Sequence, residues 1–293
     1  MTLGVVDSHH HLWDPQRRSY AFLDPPECEP IRRTFGPSEL TAAATPNGVV
    51  QTVLVQAAPD LSETEELFEL AASTPLVGAV VGWIDFEAPD PASQLDGLLA
   101  HPDSGLLAGI RAMAEDQPDP DWLAGAPVTR AAQAVGAAGL ACDLLVTPRE
   151  IPAACTLVNR LPGVQFVIDH AGKPPIESGS REPWQRMIAD LASAPNTACK
   201  VSGLITESGW DSWTAARIRP FVETVVEAFG EDRLLFGSDW PVCLLAGGYS
   251  EVLALARDTL DQVCAEKVFA ANARHIYRLA EPPAIPGTSS PGT

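Results

Sequence analysis

Val5–Leu12 reads VVDSHHHL. β-Branched residues open the run and an apolar residue closes it, which predicts a short strand with alternate side chains on shared faces. Similar runs recur at Val49–Ala57, Val77–Asp85, Leu106–Arg111, Gly139–Val146, Val164–His170, Thr197–Ser202 and Leu234–Asp239. Amphipathic segments lie between them, among them Ser62–Ala72, Trp184–Ala192, Ile218–Phe229 and Glu251–Val263. Ser62 and Glu65 have the Ser-x-x-Glu spacing of a capping box. Strands alternating with helices, at roughly 30 residues per unit, predict parallel βαβ pairing and an α/β fold. Eight such units are the number that closes a (β/α)8, TIM-like barrel. An open doubly wound sheet is the alternative, but no Gly-x-Gly-x-x-Gly follows the first run.

The chain has 293 residues and 46% hydrophobic content. That suits one such barrel, which commonly takes about 250 residues. The expectation is a single domain over 1–280, followed by a flexible Pro/Gly/Ser-rich tail over 281–293. Asp14–Pro37 is polar and Pro-rich, and reads as a long loop after the first strand, of the kind that shapes a barrel's active site. The N-terminus lacks the basic start and long apolar stretch of a signal peptide. Apolar runs such as Leu76–Phe86 are Gly-broken and fall short of the roughly 20 residues a membrane helix needs. The six cysteines form no Cys-x-x-Cys pair and read as reduced thiols, so a cytoplasmic location is expected. A net charge of −19 argues against a nucleic-acid partner, and no membrane partner is expected either. No feature specifies an oligomeric state.

Three segments carry candidate chemistry. In Asp7–Trp13 (DSHHHLW), His9 and His11 share a strand face while His10 points away. Two converging imidazoles suit a metal ion or paired hydrogen bonds to a substrate. In Phe166–Pro174 (FVIDHAGKP), His170 ends a strand, where barrel enzymes place their chemistry. In Leu234–Pro241 (LLFGSDWP), Asp239 ends an apolar run, and its ordinary alternative role is a helix N-cap. Arg111 and Lys200 could bring positive charge to a developing oxyanion, although Lys200 reads equally well as a surface charge. Gln56, Trp13, Trp83 and Trp240 are candidate pocket residues. A Gly-x-Ser-x-Gly elbow, a His-Glu-x-x-His helix and a phosphate-binding P-loop are all absent.

Together these residues resemble the amidohydrolase superfamily. The strings DSHHHLW (7–13), VGWID (81–85), GIR (109–111), DHAGKP (169–174), CKVSG (199–203) and GSDWPVC (237–243) are similar to its amidohydrolase-related branch. That branch includes L-fuconolactonases, L-rhamnonolactonases and dicarboxylate lactonases. The resemblance spans Val5 to Tyr277 and implies a (β/α)8 barrel that hydrolyses a sugar lactone or similar cyclic ester. The expected catalytic residues are Asp239 and His170, and the expected substrate contacts are Arg111, Lys173, Lys200, Gln56, Trp83 and Trp13. Binuclear members carry a Lys after strand four and a His on strand five. Arg111 and the His-free run Ala141–Leu145 stand there instead, so a two-metal centre is not expected. One divalent metal, Zn²⁺, held by His9, His11, His170 and Asp239, or metal-independent activity, is what the branch implies. The rival readings are a metal-dependent decarboxylase of the same superfamily and a non-catalytic barrel that binds a sugar acid.

Overall fold

The computed structural model describes residues 4–280. The predicted tail over 281–293 lies outside the described residues. Eight parallel strands pair in sequence order: β1 (Val5–His10), β2 (Val49–Val55), β3 (Val77–Gly82), β4 (Leu107–Met113), β5 (Ala141–Leu145), β6 (Phe166–Ile168), β7 (Thr197–Val201) and β8 (Leu234–Phe236). The ring closes where β8 returns to β1. Asp239 N donates to His9 O at 2.8 Å and His11 N to Trp240 O at 2.7 Å. Helices α1 (Pro37–Ala44), α2 (Leu61–Ala72), α3 (Pro91–Leu99), α4 (Ala126–Ala137), α5 (Ile151–Arg160), α6 (Trp184–Ala192), α7 (Ala215–Phe229) and α8 (Tyr249–Thr259) alternate with the strands, and α9 (Asn272–Ile276) follows. This is the expected (β/α)8 barrel. No described helix is long and apolar enough to cross a membrane.

Most strands stop earlier than their sequence runs, and at β6 and β8 the reason is local backbone geometry. His170, Ala171, Lys173 and Asp239 have φ of 51°, 53°, 48° and 56°. That left-handed conformation cannot continue an extended ladder, so β6 and β8 end before their ionisable residues. β4 is the opposite case and runs past Arg111 to Met113. The helix starts also shift. Asp60, not Ser62, caps α2, its carboxylate accepting from Ser62 N at 2.9 Å. α7 begins at Ala215 after a Thr214 cap, and α8 occupies Tyr249–Thr259.

Apolar residues form two clusters. The larger fills the space between strands and helices. The smaller packs Val6, Val53, Val55, Ala79, Val81, Ala141, Val167, Ala198 and Leu235 against Ala270, Ala273 and Tyr277, so the C-terminal segment plugs one end of the barrel. The period of two continues upward from this plug: Asp143 follows Ala141, Asp169 follows Val167, and Lys200 follows Ala198. On β1, a register irregularity between Asp7 and His10 lets Val6 and His9 both face inward although they are three residues apart. The Asp14–Pro37 segment folds over the mouth as two 3₁₀ turns, Ala21–Leu23 and Pro26–Ile31.

Candidate active site

His9 and His11 do converge, with their Nε2 atoms 3.1 Å apart. Asp239 Oδ1 lies 3.5 Å from His11 Nε2, 3.8 Å from His9 Nε2 and 3.9 Å from His170 Nε2. The far side of each ring is held. His11 Nδ1 donates to Val55 O at 2.8 Å, which turns the lone pair on Nε2 into the cluster. His170 Nδ1 pairs with Ser202 Oγ at 2.9 Å, and His9 Nδ1 faces Lys200 Nζ at 3.1 Å. His10 points away and bonds Thr52 Oγ1 at 2.9 Å. Asp239 is aimed by the loop behind it: Asp7 accepts from Ser238 N at 2.8 Å, Ser238 Oγ at 2.6 Å and Tyr249 Oη at 2.6 Å.

Beneath the histidines is a layer of buried charge. Lys200 Nζ lies 2.6 Å from Asp143 Oδ2 and 2.9 Å from Asp169 Oδ1, with all three side chains out of contact with solvent. Tyr277 Oη donates to Asp143 Oδ2 at 2.8 Å from the plug below. Arg111 Nη1 reaches Asp169 Oδ2 at 3.4 Å, and its Nη2 donates to the carbonyl and, at 3.1 Å, the side chain of Gln56. Lys200 is therefore no surface charge.

Burial dominates the protonation states. It holds His9 well below its usual value and lowers His11 to about 3 and His170 to about 4, so the three imidazoles are neutral at neutral pH. Burial also raises Asp239 above the ordinary carboxylate range, against the opposing pull of His170, Lys173 and Arg111. Burial alone would lower Lys200, but Asp143 and Asp169 outweigh it and hold the ammonium form. Burial alone would raise Asp169, but Lys200 and then His9 and Arg111 keep it well below the ordinary range.

Above this floor opens a cavity of about 890 Å³. His11, His170, Asp239, Arg111 and Lys173 line it, together with Tyr20 and Phe22 from the long loop. Four expected substrate contacts do not line it. Lys200 sits under His9, and Gln56 is buried against Arg111. Trp13 staples the long loop, its Nε1 donating to Arg33 O at 2.9 Å and Ile31 O at 3.2 Å. Trp83 faces a separate cavity of about 80 Å³ beside Phe86 and Trp122. Trp240, another candidate, is buried against Phe35. Sequence reasoning missed Asp143, Ser202, Tyr277, Glu115 and Glu207. For Asp143 a signal existed, an acid at the inward register of an otherwise apolar strand.

His9, His170 and Asp239 can each offer one ligand atom, all within 4.8 Å of one another, and His11 Nε2 stands beside them. Neutral imidazoles with a carboxylate are a donor set that suits a divalent cation such as zinc.

The sequence profile of the amidohydrolase family matches residues 6–279. An L-fucono-1,5-lactonase of Burkholderia ambifaria is 38% identical over 284 residues, covering 94% of this chain and 96% of its own. An L-fucono-1,5-lactonase of Burkholderia multivorans is 32% identical over 291 residues, covering 94% and 97%. A zinc-bound amidohydrolase structure from Burkholderia multivorans superposes with a TM-score of 0.87 at 30% identity, covering 94% of this chain and all of that one. With the same barrel and the full-length match, this chain belongs to the amidohydrolase family.

Proposed function

We propose that the chain is a sugar lactonase in which Asp239 activates water at the floor of the cavity. The observation that carries this reading is the Asp239 carboxylate, 3.5 Å from His11 and 3.9 Å from His170, facing a cavity large enough for a sugar ring. The activity of the two L-fucono-1,5-lactonases, each matched over nearly its whole length, supports it. Asp239 takes a proton from water, and the oxygen adds to the lactone carbonyl carbon. His170 and the Arg111 guanidinium stand where they can stabilise the tetrahedral oxyanion. The carbon–oxygen ring bond then breaks and protonated Asp239 returns its proton to the leaving ring oxygen. The product is a hydroxy acid, which ionises. His9, His11, His170 and Asp239 would hold a divalent cation, which supplies Lewis acidity when bound. Six unpaired cysteines support a reducing, cytoplasmic setting.

A panel of aldonolactones read with a pH indicator tests this directly, and the expected result is proton release on at least one of them. CO₂ release from an aromatic acid, without lactone turnover, would favour the decarboxylase, and binding without turnover would favour the sugar-acid barrel. For the metal, about one zinc per chain is expected by elemental analysis, and adding zinc to chelated protein is expected to raise Tm. Absence of both would leave Asp239 and the histidines to act alone.

Gly203 supplies a further check. Its φ is +65°, and a Cβ there would lie 2.7 Å from His170 Nδ1 and 3.3 Å from Asp239 Oδ2. Gly203→Ala is expected to displace His170 and lower kcat by about 10- to 100-fold, since misplacement by about 1 Å has that scale of effect. Circular dichroism should show the fold retained. A wild-type kcat would remove His170 from the reaction.

A further inference from the structure

The cavity wall above His170 and Asp239 carries charged groups that the hydrolytic step does not use. Lys173 Nζ lies 2.5 Å from Glu115 Oε2, so its charge is already paired. Arg111, the other cation lining the cavity, is paired with Asp169 and bonded to Gln56. Glu207 also lines the cavity, and its carboxylate has no hydrogen-bond or ion-pair partner among the described residues. Asp116 stands at the same wall. Four carboxylates, Glu115, Asp116, Glu207 and Asp239, thus face two cations, and both cations are engaged.

We propose that this wall makes the site charge-selective: it accepts polyhydroxylated lactones without a carboxylate, rejects carboxylated ones, and expels the carboxylate product. Within it, Glu207 is a specificity residue that accepts a hydrogen bond from a ring hydroxyl. The proposal rests on the lactonase reading above. An unpaired carboxylate is an acceptor only, so it suits a hydroxyl donor and opposes a second carboxylate. In a partly buried cavity that opposition is weakly screened. Hydrolysis converts an uncharged ring into a hydroxy acid whose proton leaves to solvent. The anion therefore forms against the wall that disfavours it, where the Lys173 ammonium is already paired with Glu115. Burial pushes Glu207 up to about 6 against the pull of Lys173, so it is ionised in a neutral assay.

The test compares an uncharged aldono-1,5-lactone with a lactone of the same ring bearing a carboxylate, at about pH 7.5 where free carboxylates are ionised. Wild type is expected to favour the uncharged lactone in kcat/KM by about 10- to 100-fold, the scale of one like-charge contact at low screening. Glu207→Gln is expected to narrow that ratio by about 10-fold through a gain on the carboxylated lactone, and to tighten inhibition by the aldonate product by a similar factor. Glu115→Gln, which frees Lys173, is expected to shift the ratio the same way. A loss of structure would lower both substrates alike and produce no gain. If wild type prefers the carboxylated lactone, or both variants leave the ratio and the product inhibition unchanged, charge selectivity is wrong and the lactonase stands. Turnover of neither lactone would overturn both.

Discussion

Asp239→Asn is expected to lower kcat by about 10²-fold or more with the fold intact, the usual worth of a general base. Asparagine keeps the shape of the side chain, so the buried contacts around it survive while its proton affinity is lost. The acids beneath it cannot replace it. Asp169 lies below the histidines and is held ionised by Lys200, His9 and Arg111, and Asp143 is further still from the cavity. The pH profile separates this role from a structural one. Burial raises Asp239, so the acid limb of kcat/KM should lie above the ordinary Asp range, with activity rising as the carboxylate ionises. In Asp239→Asn that limb should disappear. A variant with near-wild-type kcat and an unchanged limb would remove Asp239 from the mechanism.

The eight strands were legible because β-branched apolar runs at regular spacing leave few other folds. The His9–His11 pair was legible for an equally local reason, since alternation on one strand needs no knowledge of its neighbours. The ends of β6 and β8 were not, because nothing in DHAGK or GSDWP announces a left-handed backbone at His170 or Asp239. Lys200 was ambiguous for a different reason. Whether a lysine on a strand is buried depends on its counter-ions, and these come from residues 57 and 31 positions away, Asp143 and Asp169. Trp13 and Trp83 show the same limit for aromatics. Each stands next to a strand end, but only the folded loop decides whether an indole faces the main cavity or anchors a neighbouring segment.

Lys200→Met is the second large effect, and it acts on stability as well as rate. Methionine nearly matches the length of the lysine stem, so packing is kept and the charge alone is removed. Asp143 and Asp169 are left facing each other in a site without solvent contact. Removing one partner from a buried ion pair costs about 3–5 kcal/mol, far more than the pair is worth against an apolar replacement. The pH dependence identifies the cause. In wild type the raised Lys200 value places its own loss of charge above the ordinary lysine range, so its contribution is constant through neutrality. Burial already pushes Asp143 up to about 6 with Lys200 present, and without that ammonium both acids titrate higher. The loss in the variant should therefore be full at about pH 7.5 and shrink toward about pH 5 as the carboxylates take up protons. Urea unfolding at the two pH values measures it, and an equal loss at both would place the cause in packing rather than charge. Adding Asp143→Asn to Lys200→Met should restore part of the stability at neutral pH, because one of the two stranded charges is gone. It should not restore kcat, since Asp169, 3.3 Å from His9 Nδ1, still lacks the ammonium that holds it ionised.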